Sequence, residues 1–167
     1  MTEPAATGTV TVNAPPEVVY ALVSDVTRMG GWAVECERNT WLGGATGPRV
    51  GARFRGHNRR GWWRWSTTAT VASAQPGHLF AFRVTSFGMP VSVWAYDIHA
   101  TPGGCEVSES MWYQAGRPLR LILAPLATGI HGRDHRLAEN RRNIARTLAG
   151  LKAAAEAASA RGGDMSP

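Results

Sequence analysis

A chain of 167 residues is long enough for one domain with its own core, and 44% apolar with 18% charged residues is neither a disordered nor a membrane composition. A net charge of +6 admits nucleic acid, an anionic membrane or acidic ligands as partners, without choosing among them. The opening MTEPAATGTV has no basic stretch followed by an apolar one, and the longest apolar run, LRLILAPLATGI, is short and broken by Pro125, so neither a signal peptide nor a transmembrane segment is expected.

A cytoplasmic chain is therefore expected, in which Cys36 and Cys105 are free thiols. GTVTVNA alternates as a first strand. APPEVVYALVSD follows as a helix, with prolines in its first turn, Glu17 at its positive end and Val18, Val19, Leu22 and Val23 on its apolar side. Asp25 is placed to cap a second short helix through VTRMGGW. Six strand-like runs come next: VECERNTW, RVGARFRGHN, WWRWSTTATVASA, HLFAFRVTSF, VSVWAYDIHA and CEVSESMWYQ. The turn signals WLGGATGP, NRRG, AQPG, FGMP and TPGG separate them. A long helix from about 129 to 160 carries Leu137, Ile144, Leu148, Leu151 and Ala155 on one stripe. The expectation is one α+β domain over residues 1–167, ordered from about 8 to 160, with an antiparallel sheet of about seven strands wrapped around the terminal helix.

The stretch RFRGHNRRGWWRW reads as a two-faced hairpin. With Arg60-Gly61 as its turn, one face carries Phe54, Gly56, Asn58, Trp63, Trp65 and Thr67, and Gly56 lies opposite Trp65, whose indole would cover it. The other face carries Arg53, Arg55, His57, Arg59, Trp62, Arg64 and Ser66. Alternation places Phe80, Phe82 and Val84 inward in the next strand, then Trp94, Tyr96 and Ile98. In the last strand Cys105, Val107, Glu109, Met111 and Tyr113 face inward, which sets one carboxylate among apolar neighbours.

The blocks VNAPPEVVYALVSDVTRMGGW, GARFRGHNRRGWWRWSTTATVASAQPGHLFAFRV, GGCEVSES and NRRNIARTLAGLKAAAE together resemble the START-like superfamily, the helix-grip fold of the birch-pollen allergen, in its polyketide cyclase/dehydrase (SRPBCC) branch. The resemblance spans nearly the whole chain and implies a cavity between sheet and terminal helix that holds a hydrophobic ligand, in some members with cyclase or dehydratase chemistry.

Within such a cavity Phe54, Trp63, Trp65, Phe82, Trp94 and Met111 would supply apolar contact, and Asn58, Thr67, Tyr96 and Tyr113 orientation. Glu109 is the sole candidate acid/base, because desolvation would leave it a proton to exchange near neutral pH. His131 and His135 stand four apart with Asp134 between them, half of a metal site with no third ligand, so no metal is expected. A nucleophile elbow, a P-loop and a dinucleotide fingerprint are all missing, and no cofactor is expected. The competing reading uses charge. No carboxylate occurs between Glu37 and Asp97, while Arg38, Arg49, Arg53, Arg55, Arg59, Arg60, Arg64 and Arg83 all do, so the outer face could bind nucleic acid or another anionic surface. The segregated aromatic face and the full-length resemblance favour the first reading: a hydrophobic small-molecule binder, monomer or homodimer, with nucleic acid the disfavoured partner.

Overall fold

The computed structural model describes residues 3–114 and 132–163. Strand β1 (Ala6–Val12) leads into helix α1 (Pro16–Ser24) and a 3-10 helix (Val26–Gly31). Strands β2 (Cys36–Leu42), β3 (Arg53–Arg60), β4 (Trp63–Gln75), β5 (Leu79–Ser86), β6 (Met89–Thr101) and β7 (Gly104–Tyr113) follow in a meander, and helix α2 (Gly132–Gly163) comes last. All seven strands form one antiparallel sheet in the order β1-β7-β6-β5-β4-β3-β2, so the first strand pairs with the last. The fold is α+β and of helix-grip type, as the sequence predicts. His131 and the run Leu119–Ile130 lie outside the described residues, as does the side chain of His135.

Local chemistry explains the elements. Two prolines fix the backbone at the start of α1 and Glu17 sits in its first turn, against the positive end of the helix. Asp25 Oδ1 accepts from the Thr27 amide at 3.2 Å and the Thr27 hydroxyl at 2.6 Å, capping the 3-10 helix. On α2, Ile144, Leu148, Leu151 and Ala155 are all buried, with Asn140 and Thr147 on the same side.

Two turns differ from expectation. Arg60 pairs with Trp63, so the β3–β4 turn is Gly61-Trp62 and not Arg60-Gly61. The whole register moves by two residues, and because a shift of two restores each side chain to its own face, the predicted faces survive. The pairing of Gly56 with Trp65 does not. Gly56 faces Thr67, Trp65 faces Asn58, and the space over Gly56 is taken by Asn39 and Thr67. The β5–β6 turn is Phe87-Gly88, and Met89 and Pro90, expected in the turn, already belong to β6.

Helix α2 lies along β1 and reaches β7 and α1. Its C-terminal half is tied to the first strand, where Lys152 donates to the Thr11 carbonyl at 2.7 Å and Glu156 accepts from the Asn13 amide at 2.9 Å. Gly150 marks a close approach, since a Cβ there would stand 2.7 Å from the Trp32 carbonyl oxygen. Helix propensity favours alanine over glycine by about 1 kcal/mol, but the obstacle is backbone and cannot swing aside. Gly150→Ala is accordingly expected to destabilise by about 1–3 kcal/mol in urea unfolding.

Candidate functional site

The concave face is a set of cross-strand rows. Gly8, Glu109, Tyr96 and Phe80 lie side by side across β1, β7, β6 and β5, and Ala6, Met111, Trp94, Phe82 and Val71 form the adjoining row. Phe54, Phe82 and Phe80 pack in sequence, with centroids 5.3 and 5.8 Å apart, and Trp41 stands edge-on to Phe54 at 5.6 Å. The inward set is therefore a contiguous aromatic surface.

Glu109 is 3% exposed. Its Oε1 accepts from the Tyr96 hydroxyl at 2.9 Å, whereas its Oε2 is buried without a partner among the described residues. Burial pushes the carboxyl up to about 8; the Tyr96 hydrogen bond opposes this but is outweighed. Tyr96 is itself held well above its ordinary value, first by burial, then by the charge and hydrogen bond of Glu109, with the Cys36 thiol adding to it. At neutral pH the pair thus holds both protons. Gly8, opposite Glu109, helps to exclude water: a Cβ there would meet Ile144 of α2, so its absence lets the helix close over this row.

The other predicted residues fall into three groups. Phe54, Phe82 and Met111 are buried, and Trp94 is half-buried with its Nε1 donating to Ser92 Oγ at 3.0 Å. Trp65, Asn58 and Thr67 are half-buried nearer the hairpin end, where Asn58 Nδ2 lies 3.4 Å from Thr67 Oγ1. Trp63 is 49% exposed and stands edge-on to Trp62, outside the buried set, because the hairpin runs past the pairing of β4 with β5 that starts at Thr68 and Thr85. Tyr113 is partly exposed at the end of β7, and its hydroxyl accepts from Asn140 of α2 at 3.4 Å.

Sequence reasoning missed several neighbours. Trp32 lies edge-on to Tyr96 at 5.9 Å, and its Nε1 is the other buried polar atom without a partner among the described residues. It follows a 3-10 helix, where no periodicity could flag it. Asn39, buried on β2, donates to the Val26 carbonyl at 2.9 Å and contacts Met29 sulfur at 3.3 Å; its spacing of two from Trp41 was the available signal. Cys36 is pushed up to about 11 by burial, against a hydrogen bond with Asn39.

At the end of the sheet where β2 starts, Arg136 of α2 grips Glu35 with two hydrogen bonds of 2.8 and 2.9 Å, and Asn143 adds a third at 2.9 Å. Arg60 of β3 reaches Glu139 at 3.0 Å. Two grooves lie elsewhere. One of about 390 Å³ runs along the β1–α2 seam past Gly8, Leu148, Lys152 and Glu156, and one of about 370 Å³ follows Leu42, Ala45 and Arg49–Arg53.

Residues 3–156 match the family described as "Polyketide cyclase / dehydrase and lipid transport". The chain belongs to this family. Solved structures of polyketide cyclase-like proteins share its architecture. The Polyketide_cyc-like protein Cgl2372 from Corynebacterium glutamicum is 27% identical over 93% of this chain and 91% of its own, with a TM-score of 0.56. The di-domain ARO/CYC StfQ of the steffimycin biosynthetic pathway is 10% identical, covering 95% of this chain and 51% of its own, at 0.69. BexL, the di-domain ARO/CYC of the BE-7585A pathway, is 17% identical, covering 92% and 48%, at 0.63. This chain spans about half of each di-domain protein, and at these identities the likeness to them is one of fold. No match was found among curated proteins. No helix among the described residues is long and apolar enough to cross a membrane.

Proposed function

We propose that this polyketide cyclase/dehydrase family member takes a hydrophobic, aromatic or lipidic small molecule against the concave face, between sheet and α2, and that Glu109 exchanges a proton with it in a cyclisation or dehydration. The observation that carries the reading is the Glu109 carboxyl: buried among apolar side chains, protonated at neutral pH, with one oxygen fixed by Tyr96 and the other without a partner among the described residues. A protonated carboxyl can donate to a carbonyl or hydroxyl oxygen of the ligand through Oε2. The resulting carboxylate, disfavoured by burial, is then a base strong enough to take a proton from a carbon next to that carbonyl. Tyr96 keeps Oε1 occupied through both steps, so the exchangeable proton stays on the other oxygen. Phe54, Phe82, Trp94 and Met111 would give a planar ring system its contact, with Asn58 and Thr67 at its polar end. The two ARO/CYC structures of the same fold lend the reaction class its support.

The test is native mass spectrometry of protein purified from its own host, followed by extraction and identification of what is bound. A hydrophobic or aromatic compound at one per chain is the expected result, and Glu109→Gln is expected to retain that compound while lowering turnover at least 100-fold, the size of a general acid–base contribution. A chain that carries no such compound and takes up none when offered aromatic or lipidic candidates would sink the binding reading. Unchanged turnover in the variant would sink the catalytic one.

A further inference from the structure

Two hairpin tips carry aromatic side chains that the core does not use. Trp62, in the β3–β4 turn, is 87% exposed, and Phe87, in the β5–β6 turn, is 92% exposed. Single exposed apolar residues are ordinary on a protein surface. These two occupy turn positions where Asn, Asp and Gly are favoured, and Phe87 has φ 49, a left-handed conformation costly for a bulky side chain. Phe87 is thus unfavourable twice over, in backbone and in exposure.

Both turns open toward the same end of the sheet, because β3 and β5 run in the same direction. The β3–β4 hairpin projects further: pairing of β4 with β5 starts at Thr68, leaving Trp63–Thr67 beyond it. Trp62 and Trp63 stand 5.7 Å apart edge-on, so the projecting tip carries two indoles. Immediately behind them Arg59 and Arg64 are paired directly across the hairpin, a like-charge arrangement that is unfavourable in isolation. Both lean on one carboxylate, Glu37, at 3.4 and 3.3 Å, which leaves an unbalanced positive charge at the tip. Behind these, Arg38, Arg55 and Arg83 are exposed and have no carboxylate partner among the described residues.

We propose that this end of the molecule docks on an anionic lipid bilayer surface, with the Trp62–Trp63 tip entering the headgroup region, Phe87 making a second, shallower contact, and the arginines behind them meeting lipid phosphates. Amphipathic indoles prefer the boundary between hydrocarbon and water, and arginines near an anionic surface gain from each phosphate they reach. A nucleic-acid strand suits this surface less well, because stacking platforms set successive rings along one groove, whereas these rings occupy separate tips of unequal reach. The inference does not depend on the ligand reading, since docking is measured with the ligand site ignored.

The experiment is co-sedimentation of the full chain with vesicles of phosphatidylcholine alone and of phosphatidylcholine with phosphatidylglycerol, at two salt concentrations. Binding is expected to the anionic vesicles, to be weak on the neutral ones and to fall with salt. Trp62→Ala is expected to lower partitioning about tenfold, and Phe87→Asn to lower it severalfold. Both side chains are exposed, so neither variant should lose the fold, and Asn accepts the left-handed turn, so Phe87→Asn should melt at the same or a higher temperature than the parent. No binding to anionic vesicles, or equal binding by parent and both variants, would overturn the proposal. So would vesicle-independent binding of a single-stranded oligonucleotide lost in Trp62→Ala, which would assign the tip to nucleic acid. A concentration-dependent dimer lost in the same variant, without vesicle binding, would assign it to a second copy of the chain.

Discussion

Glu109→Gln is expected to remove most of the pH dependence of stability between pH 5 and 8.5. In the native state the carboxyl titrates near 8, against an ordinary value of 4.5. Between those two values the unfolded chain has released the proton and the folded chain retains it. The native state therefore binds more protons, and stability falls as pH rises, from its full value below about 4.5 to its lowest above about 8. Over that interval the loss amounts to roughly 5 kcal/mol at the upper bound, against a total stability of about 5–15 kcal/mol for a domain. Glutamine titrates in neither state, and its carbonyl oxygen can still accept from Tyr96. Guanidinium unfolding of both proteins at pH 5, 6.5 and 8.5 gives the comparison, and the difference between them isolates Glu109 from every other group. The variant should lose ground at pH 5, if at all, and be the more stable protein at pH 8.5. Parallel pH curves would mean that Glu109 is ionised in the folded chain, and the proton it is proposed to exchange would not exist at neutral pH.

That prediction rests on a residue the sequence could place. Glu109 is legible because Cys105, Val107 and Met111 share its parity, and in a strand parity alone decides the face. The same rule places Phe54, Phe80, Phe82, Tyr96 and Ile98 inward, and the 3.6-residue spacing of Ile144, Leu148, Leu151 and Ala155 places α2. What parity cannot supply is register. The β3–β4 turn slipped by two residues without changing a face, and with it went the match of Gly56 to Trp65, because register depends on which residue tolerates the first turn position. Gly61 takes it with φ 60, which strands Trp62 at the tip. Parity also says nothing about depth along a strand. Trp63 shares the face of Phe54 but stands past the end of the neighbouring strand, and is 49% exposed. Contacts between elements far apart in sequence were out of reach altogether: Trp32 meets Tyr96 across the 3-10 helix, and Glu35 meets Arg136 at a separation of 101 residues.

The Glu35–Arg136 pair carries the second large expectation. Both side chains are about four-fifths buried, the geometry is a two-bond fork, and Asn143 supplies a further donor to the carboxylate. Burial works against the Arg136 charge, but Glu35 and Glu139 more than reverse it and hold the guanidinium above its ordinary value. Removing the cation alone leaves a largely desolvated Glu35 with only the Asn143 amide for company, so Arg136→Met is expected to cost about 2–4 kcal/mol in urea unfolding. Substituting both partners, Glu35→Gln with Arg136→Met, should cost less than the single change, because no uncompensated charge remains. Hydrogen exchange should locate the damage. The half of α2 around Arg136–Thr147 is held to the rest by this cluster and by the Val34 amide on Thr147, whereas the half around Lys152–Glu156 keeps its separate ties to Thr11 and Asn13. Amides of the first half are expected to exchange faster in Arg136→Met while those of the second stay protected. Uniform acceleration along the helix would mean that α2 opens as one cooperative unit, and a stability change under 0.5 kcal/mol would put the pair with ordinary surface salt bridges, which contribute about 0–1 kcal/mol. The second outcome would mean that the closure of α2 over Glu109 rests on the apolar stripe, the Gly8 crossing and the ties of Lys152 and Glu156.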